Sequence, residues 1–156
     1  MKKEEKEIHG KIKGTIENGK TIGTIYKNTN VGIYGVINNL STINLDLSKE
    51  LEVATRNEIS LGKATLICNF ENNMPNEFEI EIERIFINNN EDNKSMLIKV
   101  KDERLLEKTG GIVQGMSGCP IIQNGKFIGA VTNVLVNDPT QGYAVFGDIM
   151  IKEMHK

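Results

Sequence analysis

Short apolar runs separated by polar turns occur along most of this chain. The clearest is FEIEI at 78–82, where Phe78, Ile80 and Ile82 occupy every second position and glutamates lie between them. A period of two places these apolar side chains on one face of a strand, whereas a helix would distribute them around its axis. The pattern therefore predicts a β-strand with one buried face.

The other predicted strands are short runs rich in β-branched and aromatic residues and bounded by turn residues. They occupy 21–26, 31–37, 51–56, 63–69, 96–100 and 143–151. The first two are predicted to pair around a turn at 27–30, and the next two to pair through the connection at 57–62. Residues 88–93 are predicted to form a polar turn.

A hairpin and one helical turn complete the predicted elements. In PIIQNGKFIGAV, residues 120–131, the pair Asn124-Gly125 separates two apolar runs, which is the strongest short-range hairpin signal. The stretch DERLLEKTGG, residues 102–111, has an acidic start at Asp102, a central Leu-Leu pair and two glycines at its end. That order predicts a helical turn. Because strands dominate, the predicted fold is all-β, a barrel or a sandwich.

Composition indicates an ordinary globular domain and excludes two kinds of partner. The 156 residues are 38% hydrophobic and 26% charged, with a formal net charge of −2, which suits one domain over residues 1–156. No basic stripe favours nucleic acid. The charged start, MKKEEKEIHGKIKG, lacks the apolar segment of a signal peptide or membrane anchor. We expect residues 1–10 to be extended or disordered, and we expect no membrane segment in this chain.

The cysteines and histidines form no recognisable metal-binding pattern. Cys68 and Cys119 are the only cysteines, and His9 and His155 are the only histidines. Residues this far apart match no zinc-ligand spacing, so we expect no metal and no other cofactor. Both cysteines are expected to be free, small apolar fillers, although the sequence leaves one disulfide open.

The stretch GMSGCP, residues 115–120, contains the candidate nucleophile. Gly115 and Gly118 flank Met116 and Ser117, so the backbone can take dihedral angles that other residues avoid. Such a turn can direct successive N–H groups to one point, as an oxyanion hole requires. It can equally be a tight loop whose serine hydroxyl caps a backbone group. The six residues alone leave both interpretations open.

Longer stretches favour the first interpretation. They are Asp102, the run LLEKTGGIVQGMSG, the block PIIQNGKFIGAVTNVLVNDPTQGYAVF and the earlier TIGTIYKNTNVGIYG. Together they closely resemble the SpoIVB peptidase family, serine peptidases of endospore-forming bacteria that act in a signalling checkpoint of sporulation. The resemblance covers most of residues 20–150 and is densest over 102–146. It implies a chymotrypsin-like β-barrel, and we expect this chain to hold only part of the double barrel.

The resemblance also implies roles for particular residues. Ser117 corresponds to the nucleophile and Asp102, fifteen residues earlier, to the triad aspartate. The N–H groups of Gly115 and Ser117 would bind the oxyanion, as in the chymotrypsin-type template. Judged by spacing alone, Asp102 is a helix cap, and the two roles can coexist. Asp138 in VNDPT is a rival carboxylate, although Asp-Pro-Thr is typical of a turn, and the role of Asn133 is open.

Two features depart from the family's pattern. Cys119 stands where the family often has serine, and we expect it to be a small buried side chain. The family's catalytic histidine lies in an upstream glycine-histidine motif that has no counterpart here. His9 corresponds to a non-catalytic part of the family, and His155 is next to the final lysine. Because serine without a general base is a weak nucleophile, this chain alone is expected to turn over very slowly.

The function implied by the resemblance is that of a serine endopeptidase acting through an acyl-enzyme. The implied substrates are a regulator of a membrane-embedded sporulation protease and, by self-cleavage, the protein itself. The implied location is the space between the two membranes around the forespore, reached by export, with any export signal outside this sequence. The alternative is a catalytically inactive β-barrel that binds an extended peptide along a sheet edge.

Overall fold

A computed structural model describes residues 3–8, 12–17, 19, 21–40, 46–71, 74–88 and 93–156. Strands predominate among these residues, and two short α-helices accompany them. In chain order the elements are β1 Lys3–Ile8, β2 Ile12–Glu17, β3 Gly23–Thr29, β4 Gly32–Ile37, β5 Gly62–Glu71, β6 Met74–Ile85, β7 Met96–Val100, α1 Glu103–Thr109, β8 Pro120–Gln123, β9 Lys126–Leu135, β10 Asp138–Phe146 and α2 Gly147–Met154.

Six of the described strands close into a barrel in the order β10-β7-β6-β5-β8-β9. Every neighbouring pair in this ring is antiparallel. Strands β5, β6 and β7 follow one another, and β8 returns to lie beside β5, which is a Greek key. The hairpin of β9 and β10 then fills the space between β8 and β7. The fold is therefore all-β with a closed barrel of the chymotrypsin-like kind, and the predicted fold class is confirmed.

The apolar faces of the barrel strands meet in its interior. Phe78, Ile80 and Ile82 of β6 are 4%, 0% and 1% exposed. The glutamates that alternate with them are on the outer surface, where they form ion pairs with Lys63 and Lys101. The strand predicted from the period of two at 78–82 is confirmed.

Two predicted hairpins are also confirmed. Asn124 and Gly125 both have positive φ, 52° and 74°, as the turn that best matches strand twist requires. They connect β8 to β9, which pair with each other. Strands β3 and β4 pair as predicted, but β3 continues to Thr29, which lies opposite Gly32. The turn is therefore shorter than the predicted 27–30, because Thr29 itself bonds to the backbone around the tip.

The predicted pairing of 51–56 with 63–69 is wrong. Residues 63–69 belong to β5, whose two edges are taken by β6 and β8. With no edge left to pair with, the segment 51–56 makes one isolated bridge, between Val53 and Phe127. The chain then turns through a short 3-10 helix at Arg56–Glu58.

The last predicted strand, 143–151, is correct only in its first part. Strand β10 ends at Phe146, and α2 begins at Gly147. Ile149 and Met150 pack as neighbours against the barrel, and α2 contacts β9 and β10. No helix in the described residues is both long and apolar enough to cross a membrane.

Candidate active site

Ser117 lies on the turn that precedes β8, at one end of the barrel. Gly115 and Gly118 have φ of 100° and 91°, a region that disfavours any side chain. Met116 between them is 1% exposed, and its carbonyl accepts the Cys119 N–H at 3.0 Å. Met116 therefore anchors the turn in the core, while Ser117 is exposed.

Strand β9 holds the other side of this turn. The Gly118 N–H donates to the Val131 carbonyl at 2.8 Å, and the Val131 N–H donates to the Cys119 carbonyl at 3.0 Å. The Ser117 hydroxyl donates to the Thr132 carbonyl at 2.9 Å. These bonds extend the β8–β9 pairing and fix the serine relative to the barrel. The hydroxyl does bond to a backbone group, as the loop interpretation of GMSGCP requires.

Two N–H groups of the turn are left for a ligand. Within the described part of the chain, the N–H groups of Gly115 and Ser117 donate to no acceptor, whereas those of Met116 and Gly118 do. Free donors beside an exposed hydroxyl are what an oxyanion hole requires. The assignment of these two groups to an oxyanion stays a prediction.

Two cavities share Ser117 as a lining residue. The larger, of about 650 Å³, lies between residues 29–33 of the β3–β4 hairpin and residues 130–133 of β9. The smaller, of about 300 Å³, is lined mainly by residues 112–114 and 131–134. Among the described residues that line them, none has a titratable side chain. The described part of each lining therefore offers apolar and uncharged polar contacts, but no acid or base.

Asp102 caps α1, as its spacing predicts. Its carboxylate accepts hydrogen bonds from the Arg104 N–H at 3.1 Å, from the Arg104 guanidinium at 2.8 and 3.0 Å, and from the Glu79 N–H at 3.1 Å. The guanidinium contact in particular lowers the pKa of Asp102 to about 2. The carboxylate is therefore ionised at neutral pH and already has several donors.

Asp102 and Ser117 lie at the same end of the barrel but on opposite sides of it. Asp102 follows the end of β7, and Ser117 precedes the start of β8. Two strands separate β7 from β8 in either direction around the ring. In the part of the chain that is described, no hydrogen bond joins the two side chains, and Asp102 lines neither cavity. The triad role of Asp102 stays a prediction.

One comparison with known proteins identifies the family. Residues 1–151 match the family described as SpoIVB peptidase S55. The chain belongs to this family. The suspected family is thereby confirmed, and the barrel around Ser117 is a SpoIVB-type peptidase domain. No curated protein matches the chain.

The other described titratable candidates of this SpoIVB-type domain line neither of the two cavities beside Ser117. The Asp138 carboxylate accepts from the N–H and hydroxyl of Thr140 at the start of β10. The turn predicted at Asp138 lies instead at residues 136–137, just before it. His155 follows α2 and is exposed. Neither Asp138 nor His155 is among the described residues that line these two cavities, and His9 lies outside the described residues.

Other polar residues near Ser117 carry no local sequence signal. Thr132 presents its carbonyl to Ser117 and donates its hydroxyl to the Asn93 carbonyl at 2.6 Å. The Asn93 amide donates to the Asn133 side chain at 3.4 Å. Asn133, whose role the sequence left open, lines both cavities. Because 39 residues separate Thr132 from Asn93, only folding brings them together.

The pair of Asp102 and Arg104 allows a test by pH. Asp102→Asn keeps a capping side chain but loses the ion pair, so we expect a loss of about 1 kcal/mol in unfolding free energy at pH 7. The folded pKa of about 2 lies below the unfolded value of about 3.9. The stabilisation is therefore present above about pH 5 and disappears as the pH falls towards 2. Urea unfolding at pH 7, 4 and 2 should show the two proteins converging; a constant difference would contradict this account.

Proposed function

We propose that this chain is a serine endopeptidase domain of SpoIVB type with Ser117 as its nucleophile. The observation that carries the proposal is the glycine turn. It exposes one hydroxyl beside two cavities, next to the unused N–H groups of Gly115 and Ser117. Membership of the peptidase family supports the same chemistry.

In the proposed mechanism Ser117 loses its hydroxyl proton to a histidine, and its Oγ bonds to the scissile carbonyl carbon. The carbonyl oxygen becomes an oxyanion that accepts hydrogen bonds from the N–H groups of Gly115 and Ser117. Collapse of this tetrahedral intermediate breaks the bond to the leaving amine. The amine takes the proton from the histidine, and an acyl-enzyme remains. Water then hydrolyses the ester. Asp102 is proposed to orient the histidine by accepting a hydrogen bond from it. To do so, the carboxylate would accept this bond in addition to those from Arg104 or in place of some of them.

The general base has to come from outside the two cavity linings. The Ser117 hydroxyl donates to the Thr132 carbonyl, and the described residues around it include no titratable group. Nothing there takes the proton, so we expect the chain alone to react slowly. A histidine brought to this end of the barrel would compete with the Thr132 carbonyl as the hydrogen-bond acceptor of the Ser117 hydroxyl.

The substrates and setting are proposed from the family resemblance. The domain would cleave protein substrates, including a regulator of a membrane-embedded sporulation protease, and would cleave itself. It would act after export from the forespore, in the space between the two surrounding membranes. These proposals concern the whole protein in its cell and rest on the resemblance alone.

One observation favours a different function. Cavities whose described lining residues include no acid or base suit a barrel that binds a peptide without cleaving it. In this alternative the Ser117 hydroxyl is a structural group, held by Thr132, and the N–H groups of the turn bind a peptide carbonyl.

A fluorophosphonate probe, which reacts covalently with activated serines, separates the two functions. We would label this chain, its Ser117→Ala variant, and a longer form that includes the coding sequence upstream of Met1. Ser60→Ala provides a matched control, because Ser60 is also exposed but lies outside the turn.

The peptidase proposal expects labelling of the longer form to be at least about 10³-fold faster than that of this chain. Ser117→Ala should abolish it, and Ser60→Ala should leave it unchanged. Absence of label from every form would overturn the proposal and favour the binding module. Label that persists in Ser117→Ala would assign the reaction to another residue.

A further inference from the structure

Two cysteines lie opposite each other beside the Ser117 turn. Leu66 of β5 pairs with Ile121 of β8 in an antiparallel register. In such a register, two steps forward on one strand correspond to two steps back on the other. Continuing the pairing by two residues therefore places Cys68 opposite Cys119.

Cys68 lies on the inward face of β5, and Cys119 immediately precedes β8, where the Val131 N–H of β9 still donates to its carbonyl. Leu66 and Ile121 are each 0% exposed, and side chains two positions apart on a strand share a face. Cys68 is 4% exposed. Cys119 is partly buried and packs against the same core. The thiols therefore meet inside the barrel, with Cys119 nearer to solvent.

The spacing of directly opposed residues suits a disulfide. Across an antiparallel pair the Cα atoms are about 4.5 to 5.5 Å apart. Disulfides form when the Cα atoms are about 4.4 to 6.8 Å apart. A bond between Cys68 and Cys119 therefore requires little movement of β5 or of the turn that leads into β8.

The two thiols also influence each other's ionisation. Both are free. A hydrogen bond from Cys68 lowers the pKa of Cys119, whereas the contact with Cys119 and, secondarily, burial raise the pKa of Cys68. Because the thiolate is the nucleophile in disulfide exchange, Cys119 is the thiol that reacts first.

We propose that Cys68 and Cys119 form a reversible disulfide, a redox modification site that ties the Ser117 turn to β5. The oxidant is a low-molecular-weight disulfide. The Cys119 thiolate attacks one of its sulfurs, and one small thiolate leaves. Cys68 then loses its proton, attacks the Cys119 sulfur and expels the second small thiolate. In total the protein thiols lose two protons and two electrons, and the oxidant becomes two thiols.

The disulfide would act on the turn through Cys119. The backbone of Cys119 donates to the Met116 carbonyl and accepts from the Val131 N–H, so the residue belongs to the turn's own network. The bond would also close a loop of roughly 50 residues, which restricts the unfolded chain. We expect the oxidised form to melt roughly 10 °C higher than the reduced form. The proposal goes beyond the proposed function and does not depend on it.

The test is to equilibrate dilute reduced protein with oxidised glutathione, quench with acid and analyse the products. We expect monomers without free thiols, lighter by two hydrogens, in which the peptides carrying Cys68 and Cys119 are linked. Dithiothreitol should restore both thiols and the lower Tm. Cys68→Ala should stop at a glutathione adduct on Cys119. Ser117→Ala should form the link normally, so the result is independent of the proposed nucleophile.

Denatured protein provides the control for native geometry. In urea, the ratio of internally linked protein to glutathione adducts should be at least about tenfold lower than in native protein. Unfolding lowers the effective concentration of each thiol near the other, which disfavours the internal link. An equal ratio in native and denatured protein would overturn the proposal. So would native protein that keeps both thiols, stops at the adduct, or links only between molecules.

Discussion

Gly111→Ala is expected to lower the unfolding free energy by at least about 3 kcal/mol. The φ of Gly111 is +134°, which side chains rarely adopt, and an added Cβ would overlap the Pro139 carbonyl oxygen. The same oxygen accepts the Ile112 N–H at 2.7 Å. Because both sides of this contact are backbone, no rotation of a side chain can relieve the overlap, and the loop that leads to Ser117 must move.

Gly110→Ala is the matched control for that variant. Gly110 also has a positive φ, 73°, but an added Cβ would have no atom within 4 Å. We expect it to lose only about 1 to 2 kcal/mol, the usual strain of a left-handed residue. Urea unfolding of both variants measures the difference. Equal losses would show that the close approach to Pro139 does not constrain this loop.

Ile80→Ala is expected to cost about 2 to 5 kcal/mol. Ile80 lies in the middle of β6 and is 0% exposed, between β5 and β7. Its truncation leaves a cavity in a barrel whose closed hydrogen-bond ring limits collapse around the site. With a total stability of roughly 5 to 15 kcal/mol for a domain, this is a large fraction.

Ile33→Ala tests whether the loss comes from burial. Ile33 is the same residue type on a strand, but it is 64% exposed. We expect its truncation to change the unfolding free energy by no more than about 0.5 kcal/mol. Thermal unfolding of the two variants measures the contrast. A similar loss in both would mean that the β3–β4 hairpin carries an apolar contact as important as the barrel core.

Each correctly predicted element depends on residues that are close together in the sequence. The strand at 78–82 is visible because its alternation needs no information from elsewhere. The turn at Asn124-Gly125 depends on two residues that tolerate positive φ. The cap at Asp102 depends on the N–H two residues later. Each signal is complete within a few positions, so reading the sequence is sufficient.

The wrong elements depended on which partners were available. Residues 51–56 have a composition typical of a strand, but both edges of β5 are occupied by other strands. Residues 147–151 include three consecutive apolar residues, and so short a run does not distinguish strand from helix. Tertiary packing of α2 against β9 and β10 decides in favour of a helix.

The sequence by itself determined the all-β class, the family, the glycine turn at Ser117 and the cap at Asp102, because these depend on local pattern or on long matching stretches. The tertiary structure alone decided that the Ser117 hydroxyl bonds to Thr132, that Asn93 lies beside Thr132, and that Asp102 and Ser117 stand on opposite sides of the barrel. It also decided that Cys68 faces Cys119. These relations arise because six strands close into a ring. The order of the strands in the ring brings distant parts of the chain together, and no single segment of the sequence specifies that order.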